Sequence, residues 1–193
     1  MNFLAHLHLS EPTPEARLGN FLGDFVTGDP SDRYSEEITK GIHVHRRVDA
    51  FTDSHDVWRA SKARLSDERR RFAGVIVDIF YDYFLSKHWH KFCRLGLDKS
   101  IESYYRDLVA VSDAVVEPVA TDAIRYMTEE NWLERYGRKD GIAHSINRVA
   151  LRSSRVAPIA GAIEELEAHE AELELDFLAF YPALMEFVGK ERI

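Results

Sequence analysis

Apolar side chains return every three or four residues along almost the whole chain, and no segment keeps the two-residue alternation of β-branched and polar positions that a half-buried strand needs. The pattern predicts an all-α protein. Its first helix covers residues 3–9, FLAHLHL. The prolines of EPTPE separate this from a second helix that runs to about residue 26, with Thr13 as N-cap and Pro14 in the first turn, where a missing N–H costs nothing. Gly28, Asp29 and Pro30 close that element. Ser35 is placed to cap a third helix, whose first turn carries Glu36 and Glu37 at its positive end. A polar passage over 64–71 precedes the most apolar helix, FAGVIVDIFYDYFL, which SKHWHKF ends or continues. Further helices are expected over 98–111, 118–136 and 142–152, then a long pair over 158–188. No internal repeat or low-complexity linker interrupts the series, so residues 1–193 are expected to form one domain, a helical bundle.

Polar residues break this apolar pattern at a few places, and those places carry the candidate chemistry. Residues 41–55, GIHVHRRVDAFTDSH, hold three histidines, two aspartates and two arginines in about four helical turns. Ile38, Ile42, Val44, Val48 and Phe51 supply the apolar contacts there, while His45, Asp49 and Asp53 fall at i, i+4 and i+8 along one stripe. Imidazole nitrogen and carboxylate oxygen at that spacing suit a divalent cation; an ordinary His–Asp pair one turn apart is the simpler alternative. Asp78 and Asp82 sit four residues apart in a run of Val, Ile, Phe, Tyr and Leu. An ionised carboxylate buried without a partner costs several kcal/mol. No Lys or Arg lies in that run, so a partner must come from elsewhere: a cation, a histidine, or an arginine such as Arg46 or Arg47. His6 and His8 interrupt the first helix and Asp24 the second. His6, Asp24, His45, Asp49 and Asp78 together make a mixed nitrogen and oxygen set, suited to a divalent metal that activates water for attack on phosphorus.

Charge changes the picture in one respect. The net charge of −8 argues against a general nucleic-acid surface. Yet residues 40–106 hold 14 Lys or Arg against 9 Asp or Glu, a net of +5, which leaves −13 on the remainder. Arg69, Arg70 and Arg71, with Arg46, Arg47, Lys62 and Arg64, form the candidate surface for an anionic partner. The seven acids between Glu164 and Asp176, among which there is no Lys or Arg, are expected to be a solvated helix face. One cysteine, Cys93, excludes an internal disulfide and a cysteine-cluster metal site. Without a basic leader or a membrane-length apolar run, a soluble cytoplasmic protein that needs no membrane is expected. There is no Gly-x-Ser-x-Gly elbow, Walker loop, GxGxxG or HExxH, and Cys93 with His90 three residues back is a weak nucleophile–base pair.

The segments NFLAHLHLS, GNFLGDFVTG, GIHVHRRVDAFTDSH and DIFYDYFLSKHW, in that order and spacing, resemble the acyl carrier protein phosphodiesterase family, with a looser match beyond residue 89 that includes NWLERYG. The resemblance implies an all-helical relative of the HD-domain phosphohydrolases. The implied reaction cleaves the phosphodiester between 4′-phosphopantetheine and a serine of holo-acyl carrier protein, with a divalent metal, Mn²⁺ foremost and Mg²⁺ or Fe²⁺ as alternatives. Carried over by position, His6, Asp24, His45, Asp78 and Asp82 are the implied metal residues. Arg46 is the implied phosphate contact, and Asp49 and Asp53 the carboxylates that orient water. His55 and Asp56 spell a literal His-Asp pair at the polar end of the third helix and are not equated with the metal-binding pair. Two other functions stay open: hydrolysis of a nucleotide or other small phosphate ester, and a non-catalytic helical module that binds carrier protein.

Overall fold

The computed structural model describes residues 1–151 and 153–191. Among them there are eleven α-helices and no strand: α1 (Phe3–Leu9), α2 (Pro14–Leu22), α3 (Glu36–Ser54), α4 (Asp56–Arg64), α5 (Ala73–Lys87), α6 (Trp89–Phe92), α7 (Leu97–Ala110), α8 (Pro118–Glu129), α9 (Trp132–Arg135), α10 (Lys139–Ala150) and α11 (Ile163–Glu191). The expected caps are in place. Thr13 Oγ1 accepts from the Ala16 amide at 3.3 Å, and Ser35 Oγ accepts from the Ile38 amide at 3.4 Å.

The most apolar helix lies at the centre of the bundle. Ile76, Val77, Phe80, Tyr81, Phe84 and Leu85 of α5 are fully buried, and α1, α4, α10 and α11 all pack against α5. Beside it α2 and α3 cross at very close range through two glycines. A Cβ on Gly19 would lie 2.1 Å from the Ile38 carbonyl oxygen, and one on Gly41 would lie 2.6 Å from that of Ala16. Only hydrogen fits at this crossing, and the close approach brings the end of α2 beside the middle of α3.

The structure corrects several boundaries. The second helix stops at Leu22 rather than near residue 26; a tight turn follows, in which Phe25 and Val26 both donate to the Leu22 carbonyl. The segment expected to be one helix over 118–136 is two, because Asn131 takes a left-handed conformation (φ 50°) between α8 and α9. The next helix begins at Lys139 and ends at Ala150, and Arg152, its expected last residue, lies outside the described residues. The expected C-terminal pair is present as two helical stretches of α11 joined at a kink at His169, and it begins at Ile163 rather than near residue 158.

The acidic stretch of α11 is a solvated face only in part: Glu164, Glu167 and Glu172 are exposed, and the other four acids are half-buried and paired. Glu165 accepts from the Ser66 amide, Glu170 pairs with Lys139 at 2.6 Å, Glu174 pairs with Lys87 at 2.7 Å and with His88, and Asp176 takes a two-pronged bond from Arg64 (2.7 and 3.1 Å). Opposite charges separated along the chain meet in the fold, so part of the expected basic surface is neutralised internally. No helix among the described residues is long and apolar enough to cross a membrane.

Candidate metal centre

Two helices and the N-terminus converge on one carboxylate. Asp49 and His45 stand one turn apart on α3, and His6 comes from α1. His45 Nε2 lies 3.1 Å from Asp49 Oδ2 and His6 Nε2 lies 3.2 Å from Asp49 Oδ1, so each imidazole faces a different oxygen of the same group. The two rings stack at 3.9 Å, nearly parallel. Gly23, just after α2, makes room for them: a Cβ there would meet the His45 ring at 2.1 Å. Asp24, the next residue, places Oδ1 3.6 Å from His45 Nε2 while staying exposed. The Met1 ammonium, fully buried, donates to Asp49 Oδ1 at 3.1 Å and lies 3.3 Å from Asp78 Oδ1, which also accepts from Trp58 Nε1 at 3.3 Å.

Hydrogen bonding determines what His6 offers. Its Nδ1–H donates to Asn20 Oδ1 at 3.0 Å, an oxygen that can only accept. In that tautomer Nε2 carries a lone pair, yet it faces the Met1 carbonyl oxygen at 3.1 Å and Asp49 Oδ1 at 3.2 Å, two further acceptors. Crowded acceptors are stabilised by a cation. Protonation of the ring is the poorer answer, because burial, with the neighbouring His45 adding to it, pushes His6 down to about 4. Burial alone would lift Asp49, but the hydrogen bond from His45 and the Met1 ammonium hold it well below the usual carboxylate range. At neutral pH the centre is therefore a neutral imidazole and an ionised carboxylate, the protonation states metal ligation needs. His6, His45 and Asp49 each offer one ligand atom, all within 4.8 Å of one another, and could hold a metal ion. The Nδ1 bond from His6 to Asn20 is the outer partner that ligating histidines typically have.

Around this trio the expected residues divide. Asp24 and Asp78 border it, and burial raises Asp78 despite the Met1 ammonium beside it. Asp82 does not join. Its two oxygens accept from the amides of Leu4 and Ala5 at 2.8 and 3.0 Å, so it caps α1, whose own Asn2 makes no side-chain cap. Asp53, a turn beyond Asp49, is exposed, and none of the contacts above includes it. Arg46 Nη2 donates to the Val26 carbonyl at 2.9 Å, tying α3 to the loop after α2. Arg70 and Arg71 are exposed and Arg69 is half-buried, all before the start of α5. Asn20, Gly23, Trp58 and Met1 were not expected. Asn20 alone had a signal of the kind used for the others, a polar side chain inside an apolar helix.

Fold and donor set define a class: an all-α protein with a buried centre of two imidazoles and one carboxylate, open to a divalent cation. The chain belongs to the acyl carrier protein phosphodiesterase family, whose model matches residues 1–184. It is similar over the full length of both chains to proteins named acyl carrier protein phosphodiesterase from Yersinia enterocolitica (38% identical), Escherichia coli O157:H7 (35%) and Pectobacterium atrosepticum (32%). No solved structure matches.

Proposed function

We propose that this protein is a metal-dependent phosphodiesterase that releases 4′-phosphopantetheine from the serine of holo-acyl carrier protein and leaves the apo-carrier. The supporting observation is the arrangement of His6, His45 and Asp49, acceptors crowded as a cation would have them, in a chain whose end-to-end relatives are named acyl carrier protein phosphodiesterase. His6, His45 and Asp49 would hold the ion, with Mn²⁺ the metal expected and Mg²⁺ or Fe²⁺ the alternatives. A divalent ion there supplies a lowered pKa for a water and charge neutralisation for a phosphate oxygen.

The remaining work falls to the chain's own groups. Asp24, exposed beside His45, is placed to accept a proton from the attacking water. Arg46, half-buried and held through one nitrogen by Val26, keeps other N–H groups for a non-bridging phosphate oxygen. The exposed Arg70 and Arg71 would meet the acidic carrier. Purified protein incubated with Mn²⁺, holo-carrier and a panel of nucleotides, followed by mass spectrometry, tests the assignment. Conversion of holo- to apo-carrier, lost on chelation and in Asp49→Asn, is the expected result. Nucleotide turnover without carrier turnover would make the protein a small-ester phosphohydrolase. Carrier binding without any turnover would make it a binding module.

A further inference from the structure

A cavity of about 150 Å³ lies against α5, α9 and α10. Asn2 and Ile79 are part of its wall, each the chain neighbour of a residue at the metal centre, Met1 and Asp78. The N-terminal segment and α5 therefore each contribute both to this wall and to the centre. The rest of the wall is unusual for its part of the sequence. Outside residues 40–106 the chain carries a net −13, yet the wall there holds Arg135, Arg148 and His144 and not one carboxylate.

Arg148 is already engaged: it pairs with Glu130 and lies over the Trp132 ring at 4.8 Å. Arg135 is not. Its guanidinium, half-buried, makes no hydrogen bond or ion pair among the described residues. Asn2 adds an amide nitrogen, buried and without a hydrogen-bond partner. A buried donor left unmade costs on the order of 1–3 kcal/mol, so an acceptor in this cavity would be favoured. Two guanidiniums, an imidazole and an amide donor around a concave space suit a small, doubly charged oxyanion. Size narrows the ligand further. The cavity holds the volume of about five waters and falls short of the roughly 300 Å³ where drug-sized ligand sites begin. A phosphate with a short stub of its ester fits inside, and the rest of such an ester would lie outside.

We infer that this cavity is a second anion site, which takes the terminal phosphate of a phosphate monoester. If the proposed function holds, that monoester is the released 4′-phosphopantetheine, and identification of the ligand, though not of the site, rests on that reading.

The test is equilibrium binding to the full chain without added metal, by calorimetry and by fluorescence, since Trp132 borders the cavity. The probes are 4′-phosphopantetheine, inorganic phosphate and dephosphorylated pantetheine. Wild-type protein should bind the first two and not the third. Arg135→Ala should weaken binding at least tenfold, and His144→Ala, a change at an exposed side chain that spares the fold, should weaken it severalfold. Asp49→Asn should bind as wild type does. Unchanged affinity in both Arg135→Ala and His144→Ala overturns the site, as does binding lost in Asp49→Asn but kept in these two, which would put the phosphate on the metal centre. Equal binding of pantetheine would show that the arm, not the phosphate, is recognised. The function has its own failure: carrier turnover surviving in Asp49→Asn sinks the proposed catalytic centre and leaves the phosphate-binding result standing.

Discussion

Asn20 decides what His6 can do. By accepting from Nδ1 it fixes the tautomer that turns the Nε2 lone pair toward Asp49, so its effect reaches the centre without contact with an ion. Asn20→Leu keeps the bulk and removes the acceptor. Mn²⁺ affinity, measured by chelator competition, should fall by about 10- to 100-fold, and Asn20→Asp, which keeps an acceptor, should recover most of it. Equal affinity in all three proteins would mean that His6 does not ligate. His6, Asp24, His45 and Asp78 stood out in the sequence because each breaks an apolar helix. Which of them touch, and that Asn20 and Met1 complete the group, depends on distances between helices that no spacing along one helix encodes.

At the scale of the element, α1 shows why Asp82 is buried. Seven residues are too few for a helix to persist alone, and Asn2 makes no side-chain cap, so the free amides of Leu4 and Ala5 need an acceptor from outside. Asp82 supplies both bonds across 77 and 78 residues of sequence. Burial outweighs these bonds and pushes its carboxyl up to about 7 from an ordinary 3.8. Because the folded chain holds this proton more tightly than the unfolded one, the group favours folding below about 3.8 and loses that contribution as pH rises through about 7, by at most roughly 4 kcal/mol. Asp82→Asn does not titrate. The melting temperature of wild type relative to Asp82→Asn should therefore fall between pH 4 and pH 7.5, and a constant difference would show that Asp82 keeps its charge throughout. Asp82 is a conspicuous acid in the sequence for the same reason as Asp78, and the pattern alone does not distinguish a helix cap from a metal neighbour.

For the whole molecule, charge is the organising term that the sequence expresses only in part. Arg64, counted with the basic surface, is instead committed to Asp176, which also accepts from Ser61 Oγ at 2.8 Å, and Ser61 in turn bonds the Tyr81 hydroxyl. Asp176→Ala leaves a half-buried guanidinium and a buried hydroxyl short of partners, and should cost about 2 kcal/mol in denaturant unfolding, with little loss of metal affinity. A cost under about 0.5 kcal/mol would class the contact with ordinary surface pairs. Arg70 and Arg71 remain available to a partner, since the Arg70–Asp67 pair is fully at the surface. Reversing both to Glu should raise KM for holo-carrier severalfold at unchanged kcat, chiefly through the on-rate, and the effect should shrink at high salt. Salt-independent loss, or loss of kcat, would place these arginines in the fold or at the centre.

The helical class, the caps at Thr13 and Ser35, and the identity of most residues around the centre follow from the sequence, because periodicity and capping are local and a polar side chain inside an apolar helix is anomalous wherever the helix goes. Tertiary structure decided the rest. The glycine crossing of α2 and α3 sets the distance from Asp24 to His45, the packing of α1 on α5 makes Asp82 a cap, and the return of α11 gives its acids partners in α4, α5 and α10. Each of these depends on which helix lies against which, and contacts between residues dozens of positions apart leave no period in the sequence to read.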